Sequence, residues 1–222
     1  MSGPKTMKGR AGSTRIIGIA VLAGGAALIV HILSGVSLRL ALVVAASLLV
    51  GAGTVAWRRA DIEQRLLLTR VAKVGLVSGL VATLVYDLVR TVLARFDTSP
   101  YDPFEAIRAF GSAIAGPSAT PTAVLAAGTA FHLFNGIAFG VSFCLLFRRG
   151  GVLRGMAWGA VLELFQLTLY PGWLDIRAYQ EFAQISAVSH LAYGATLGWL
   201  ARTGIGRIPT LEQGDTRVDI AP

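Results

Sequence analysis

Six stretches of this chain are nearly free of charge, and each is about as long as the roughly 20 apolar residues that a helix needs to cross a bilayer. They run over 16–34, 38–57, 71–93, 123–147, 152–170 and 182–201. Backbone amides have no water to bond inside a bilayer, so a run of this length must satisfy its own hydrogen bonds as a helix. The expected fold is therefore an all-α membrane protein with six transmembrane helices. Charged residues make up 14% of the 222-residue chain, against about 25% in soluble domains, which supports the same conclusion.

The net charge of +8 does not point to nucleic acid, because the basic residues gather at the ends of the apolar runs. Lys5, Lys8, Arg10 and Arg15 precede the first run; Arg58, Arg59, Arg65, Arg70 and Lys73 lie between the second and third. Arg148, Arg149 and Arg154 lie between the fourth and fifth, and Arg202, Arg207 and Arg217 follow the sixth. These residues all fall on one side of a six-span chain, and cytoplasmic loops are the ones enriched in Lys and Arg, so both termini are expected in the cytoplasm. Asp97, Asp102, Glu105, Asp175 and Glu181 fall on the other side. The basic leader resembles a signal peptide, but the first run is long and lacks a small-x-small cleavage site, so it reads as a retained helix. Cys144 is the single cysteine, which allows no intrachain disulfide and reads as a small core residue.

The expected organisation is a basic N-tail (1–15), a peripheral two-helix hairpin (16–57), a basic linker (58–70), a four-helix core (71–202) and a polar tail (203–222). Between the third and fourth runs, Asp102, Pro103 and Glu105 read as an N-cap, a first-turn proline and a third-position carboxylate. With Phe104, Ile107, Gly111 and Ile114 at helical spacing, they predict an amphipathic helix over 102–115, lying on the outer membrane surface and ended by Pro117 to Pro121. Tyr101, Tyr170, Trp173 and Tyr179 predict an outer aromatic belt, and His31 an interfacial histidine.

The core carries an internal similarity. His132-Leu-x-x-Gly136-x-x-x-Gly140 in the fourth run matches His190-Leu-x-x-Gly194-x-x-x-Gly198 in the sixth. The third run has Gly75-x-x-x-Gly79 with Asp87 beyond it, and the fifth has Gly155-x-x-x-Gly159 with Glu163 beyond it. This predicts two tandem hairpins, runs three–four and five–six, with glycines closing the cytoplasmic half by close backbone approach. The first two runs lack these motifs.

Each core run also holds two polar groups three residues apart, hence on one helical face: Asp87 with Arg90, His132 with Asn135, Glu163 with Gln166, and His190 with Tyr193. At about 1.5 Å per residue, all four pairs fall in one layer just outside the bilayer midplane. An ionisable group at that depth costs at least about 2.5 kcal/mol facing lipid, so the pairs should face one another and form an outward-opening pocket. Asp87, His132, Glu163 and His190 are its ionisable members, with Arg90, Asn135, Gln166 and Tyr193 orienting them.

Three functions suit such a pocket. Asp, Glu and His relays in membranes carry protons, which suggests proton-coupled transport or solute binding; six helices are few for a carrier, so a homo-oligomer is expected. Alternatively His132, His190, Glu163 and Asp87 hold a divalent metal such as zinc and activate water in a membrane hydrolase, or the two histidines ligate haem. In the third reading the pairs are structural glue, with His132 bonding Glu163 and Tyr193 reaching Gln166, in a protein that is a structural or accessory subunit.

The segments GLVSGLVATLVYD (75–87), SPYDPFEAI (99–107), AFHLFNGIAFGVSFCLLF (130–147), GAVLELFQLTLYPGWL (159–174) and HLAYGATLGWLA (190–201) resemble the YagU-type family of bacterial inner-membrane proteins. The resemblance implies a multi-pass protein of the bacterial inner membrane. It supplies no reaction and no catalytic residues, and the first two runs depart from it.

Overall fold

The computed structural model describes residues 14–98, 101–148, 150–174, 176 and 178–208, and among them the chain is helical throughout, with no strand. The helices are α1 (Thr14–Ala20), α2 (Ala23–Ser34), α3 (Leu38–Arg59), α4 (Ile62–Phe96), α5 (Glu105–Ala115), α6 (Pro121–Leu146), α7 (Val152–Leu169), α8 (Pro171–Leu174) and α9 (Tyr179–Gly206). Four of them, α3, α4, α6 and α7, are long and apolar enough to cross a membrane, and α1 with α2 would make a fifth if taken as one broken span. These are the helices of a membrane protein. The expected sixth run lies in α9, which at 28 residues is long enough but falls short in hydropathy because Gln184, Ser186, Ser189 and His190 interrupt it.

Local chemistry sets the boundaries. Asp61 accepts from the Gln64 amide at 2.8 Å and starts α4. Helix therefore runs through most of the segment expected as a linker, and only Ala60 and Asp61 separate α3 from α4. Thr120 caps α6, with Pro121 in its first turn. At the other amphipathic segment the helix begins at Glu105 rather than 102. Asp102 Oδ1 accepts from the Phe104 amide at 2.8 Å, so this carboxylate shapes the turn ahead of α5 and does not cap the helix, and its other oxygen pairs with Arg108.

The first run is bent by 42° between α1 and α2. There the Leu22 amide bonds the Ile19 carbonyl, three residues back, and this frees the Gly18 carbonyl. Ser142 Oγ on α6, fully buried, donates to that carbonyl at 2.8 Å. Arg148 donates to Thr14 Oγ1 at 3.1 Å. The expected peripheral hairpin is thus divided: α1 and α2 are fastened to α6, and only α3 is peripheral, packing mainly on α2 with Leu40, Val43, Leu48 and Val50 exposed.

In the core, α4 packs along both α6 and α9, and α9 packs along α7. Glycines bring the backbones together. A Cβ on Gly79 would sit 2.9 Å from the Gly136 carbonyl oxygen and 3.1 Å from Gly140 Cα; a Cβ on Gly155 would overlap the Gly194 carbonyl oxygen and sit 2.8 Å from Gly198 Cα. A third close approach, absent from the sequence reading, joins α5 to α6. A Cβ on Gly111 would overlap the Val124 carbonyl, and one on Gly128 would overlap that of Ile107. The apolar face of α5, with Ile107 and Phe110 buried, therefore lies against α6. α6 and α7 share no such packing, and the space between them becomes the cavity described next.

Candidate functional site

A cavity of about 420 Å³ lies between α6 and α7, with α4 and α9 behind it and α2 on its other side. Along α7 it extends from Trp158 to Tyr170, about 18 Å at 1.5 Å per residue. Its walls are mainly apolar, including Leu22, Ile29, Phe139, Val161 and Phe165. At the end nearest α5, Phe110 stacks on Trp173 with ring centroids 5.8 Å apart and meets Phe131 and Tyr170 edge-on. Tyr170 and Trp173, expected in an aromatic belt, thus belong to a cluster at the cavity end. His31 meets Trp173 edge-on, and its Nδ1 lies 2.7 Å from the Val36 carbonyl, apart from the polar residues below.

Of the eight expected pocket residues, Arg90, His132, Asn135, Gln166, His190 and Tyr193 line the cavity as a polar layer, with Asp87 and Glu163 bonded behind the two histidines. The ionisable members are paired within the helix pairs, not across them. His132 Nε2 on α6 lies 3.0 and 3.1 Å from the two carboxylate oxygens of Asp87 on α4. Arg90 donates to the same Asp87 Oδ1 at 3.0 Å. Its guanidinium also lies over the rings of Tyr86 (5.0 Å) and Phe104 (5.7 Å). On the other pair of helices, His190 Nδ1 of α9 lies 2.7 Å from Glu163 Oε2 of α7. Ser186 donates to the same oxygen at 2.7 Å, and Gln166 donates to Ser186 at 2.5 Å. The expected bond between His132 and Glu163 is not made, because each histidine finds a carboxylate on the helix its own glycines pack against. Nor does Tyr193 reach Gln166: its hydroxyl donates to the Gly136 carbonyl at 2.8 Å.

Both imidazoles line the cavity while both carboxylates sit behind them. A neutral His132 bonded through Nε2–H turns Nδ1 to the remaining space, and a neutral His190 bonded through Nδ1–H turns Nε2 there. Among the described residues four buried polar atoms have no hydrogen-bond partner: Arg90 Nε, Asn135 Oδ1, Trp158 Nε1 and Glu163 Oε1. Buried polar atoms are rarely left so, and here Arg90, Asn135 and Trp158 line a cavity able to hold a ligand or water, with Glu163 behind His190. Outside the layer, burial pushes the Tyr101 hydroxyl well above its ordinary range, so beside Arg90 in a small adjoining pocket it acts as a neutral hydrogen-bonding group.

The arrangement does not suit the metal or haem readings. Among the described residues no three His, Cys, Asp or Glu side chains converge closely enough to hold a metal ion, so Asp87, His132, Glu163 and His190 are two pairs and not one ligand set. A haem between the two imidazoles would need the volume taken by the Tyr86 ring, whose centroid lies 5.9 Å from that of His132 and 4.8 Å from that of His190.

Sequence reasoning missed Tyr86, Ser186 and Trp158. Ser186 stands four residues before His190, one helical turn, and that spacing was the available signal. Comparison with family models, with curated proteins and with solved structures finds no match to this chain.

Proposed function

We propose that this chain is a six-span protein of the bacterial inner membrane, with both termini cytoplasmic, that binds a small solute in its cavity and couples binding to protonation of its histidines, as proton-coupled transport requires. The observation that carries this reading is that two histidine–carboxylate pairs present their imidazoles to one cavity whose walls hold buried, unpartnered polar atoms. Glue alone would pair every buried group; Asn135 Oδ1 and Glu163 Oε1 are not paired.

Two tandem hairpins supply the geometry in this reading, α4–α6 and α7–α9. Their contacts give a register one turn away from the one read off the glycine spacing. Gly79 meets the Gly136 carbonyl and Gly140 as Gly155 meets the Gly194 carbonyl and Gly198. Gly79 then corresponds to Gly155, Asp87 to Glu163 (each eight residues on), Arg90 to Gln166, and His132 to His190.

The chain has three histidines, which makes the test direct. Protein labelled with ¹⁵N-histidine in lipid nanodiscs is titrated by NMR, with His31→Gln, His132→Gln and His190→Gln variants for assignment. The expected result is that a bound solute changes the protonation state of His132 or His190, read from its ring ¹⁵N shifts at fixed pH. Imidazoles whose state no solute alters at any pH tested would refute the reading.

A further inference from the structure

We infer that the cavity takes a protonated organic amine with an apolar body, and that this ligand and a proton on the Glu163–His190 pair replace one another. The inference rests on the proposal of proton-linked solute binding and names the ligand class.

The observation is a charge difference between the two histidine–carboxylate pairs. Beside Asp87 stands Arg90, 3.0 Å away and 6% exposed, so that carboxylate is neutralised by a fixed cation. The position related to Arg90 by the glycine contacts is Gln166, which bonds Ser186 and carries no charge. Glu163, itself 8% exposed at the side chain, has no fixed cation among its partners. Tyr86 on α4 meets His190 edge-on; the other charged or titratable groups of the layer are Asp87 and Arg90 on α4, His132 on α6 and Tyr193 on α9, and Tyr101 and Tyr170 also stand near Glu163. Asp87 and Arg90 cancel, the tyrosines are neutral, and with neutral imidazoles the layer keeps the single negative charge of Glu163.

An isolated buried charge is costly, so this layer is stable with one more positive charge in it. A proton on His190 supplies that charge. With Nδ1–H held by Glu163, the proton resides on Nε2, the nitrogen left for the cavity. An ammonium in the cavity supplies the same charge: it donates an N–H to Nε2 once that nitrogen has lost its proton to solvent. One N–H bond of the imidazolium breaks, one hydrogen bond from the amine replaces it, and the charge of the layer is unchanged. The rest of the cavity suits such a ligand. Tyr86, Phe139, Trp158 and Phe165 line it with aromatic faces, which attract organic cations, and Asn135 Oδ1 is an unpartnered acceptor.

Three molecules of one shape test this: 2-phenylethylammonium, 2-phenylethanol and 3-phenylpropionate. Each is titrated calorimetrically into the full-length protein in nanodiscs at about pH 6, within the range where histidine is protonated, in two buffers that differ in heat of ionisation. The amine is expected to bind at least tenfold more tightly than either isostere and to release about one proton per molecule bound. Glu163→Gln should weaken its binding at least tenfold and abolish the release, and His190→Gln should bind it without release. Fold is checked for each variant by its unfolding transition. If the alcohol or the acid binds as tightly as the amine, or if the amine binds without releasing a proton, the inference is overturned. Should the acid or alcohol alone shift the histidine NMR signals, proton-linked binding survives and the amine does not; if none of the three shifts them, both fall.

Discussion

The helix pairs α4–α6 and α7–α9 are closed by the same backbone contacts and then diverge in chemistry. Both cross at glycines whose missing side chains admit the partner's carbonyl oxygens, and both place a carboxylate on the first helix against a histidine on the second. The first pair adds Arg90 over Tyr86 and Phe104; the second adds Ser186 and Gln166. One frame therefore holds a balanced ion pair and an unbalanced one. What differs between them is a few side chains, Arg90 against Gln166 on the first helix and Gly128 against Ser186 and Asn135 against Tyr193 on the second, while the packing beneath is shared.

The strongest way to break the comparison is to remove what the pairs share. Gly79→Leu and Gly155→Leu each force a side chain into a facing backbone, and each should cost at least about 3 kcal/mol, the upper end for overpacking. The measurement is recovery of monodisperse protein and its unfolding transition in detergent. If only one of the two variants is crippled, the helix pairs are not equivalent. The next effect separates the pairs. Asp87→Asn strands Arg90 and should cost about 3 kcal/mol, as breaking a buried ion pair does, with most of it recovered in Asp87→Asn/Arg90→Gln. Glu163→Gln strands no fixed cation, since His190 can give up its proton, and should cost less than about 1 kcal/mol, because the amide oxygen still accepts from Ser186. Equal losses in chemical unfolding would erase the distinction.

A smaller effect concerns a group on α6 alone. Ser142→Ala leaves the Gly18 carbonyl at the α1–α2 bend without its donor and should cost about 1–2 kcal/mol. Its counterpart on α9 by the same register, Leu200, bonds nothing there, so Leu200→Ala should show no loss of that kind beyond its apolar contacts. The smallest effect is the control. Gly51 on α3 has open space around its absent side chain, and Gly51→Ala should change stability by less than about 1 kcal/mol. A large loss there would mean that glycine matters in this chain for reasons other than backbone approach.

Much of this was readable from the residues. Apolar run length located most of the helices, and the recurrence of His132 and His190 four residues before a glycine marked the helices that carry the polar layer. Spacing on a helix fixes which face a residue shares, but not which neighbouring helix that face meets, and so the partners of His132, Glu163 and Tyr193 were misassigned. The glycine register was off by a turn for the same reason: Gly75 and Gly79 form a motif as valid as Gly79 with Thr83, and only contact with α6 distinguishes them. Gly111 and Gly128 lie on different helices and form no motif at all, so the seat of α5 was invisible. No proline marks the bend at Val21 and Leu22, and the flanking Gly18, Gly24 and Gly25 read as part of one unbroken apolar run. At the cavity, the apolar walls looked like ordinary helix faces because nothing local distinguishes lining from packing.

The place of α9 has a consequence for how the protein is made. Among the described core helices it follows the others in the chain, it falls short of the hydropathy that α3, α4, α6 and α7 reach, and it packs against both α7 and α4. Until it is synthesised, the faces of α4 and α7 that it covers have nothing to close on, and Glu163 waits without Ser186 or His190. Closure of the core therefore waits on a segment that falls short of the hydropathy of the helices it joins. A chain cut short before residue 179 would retain the four helices long and apolar enough to cross a membrane and still lack a site, and it is the form that a membrane quality-control protease should clear first.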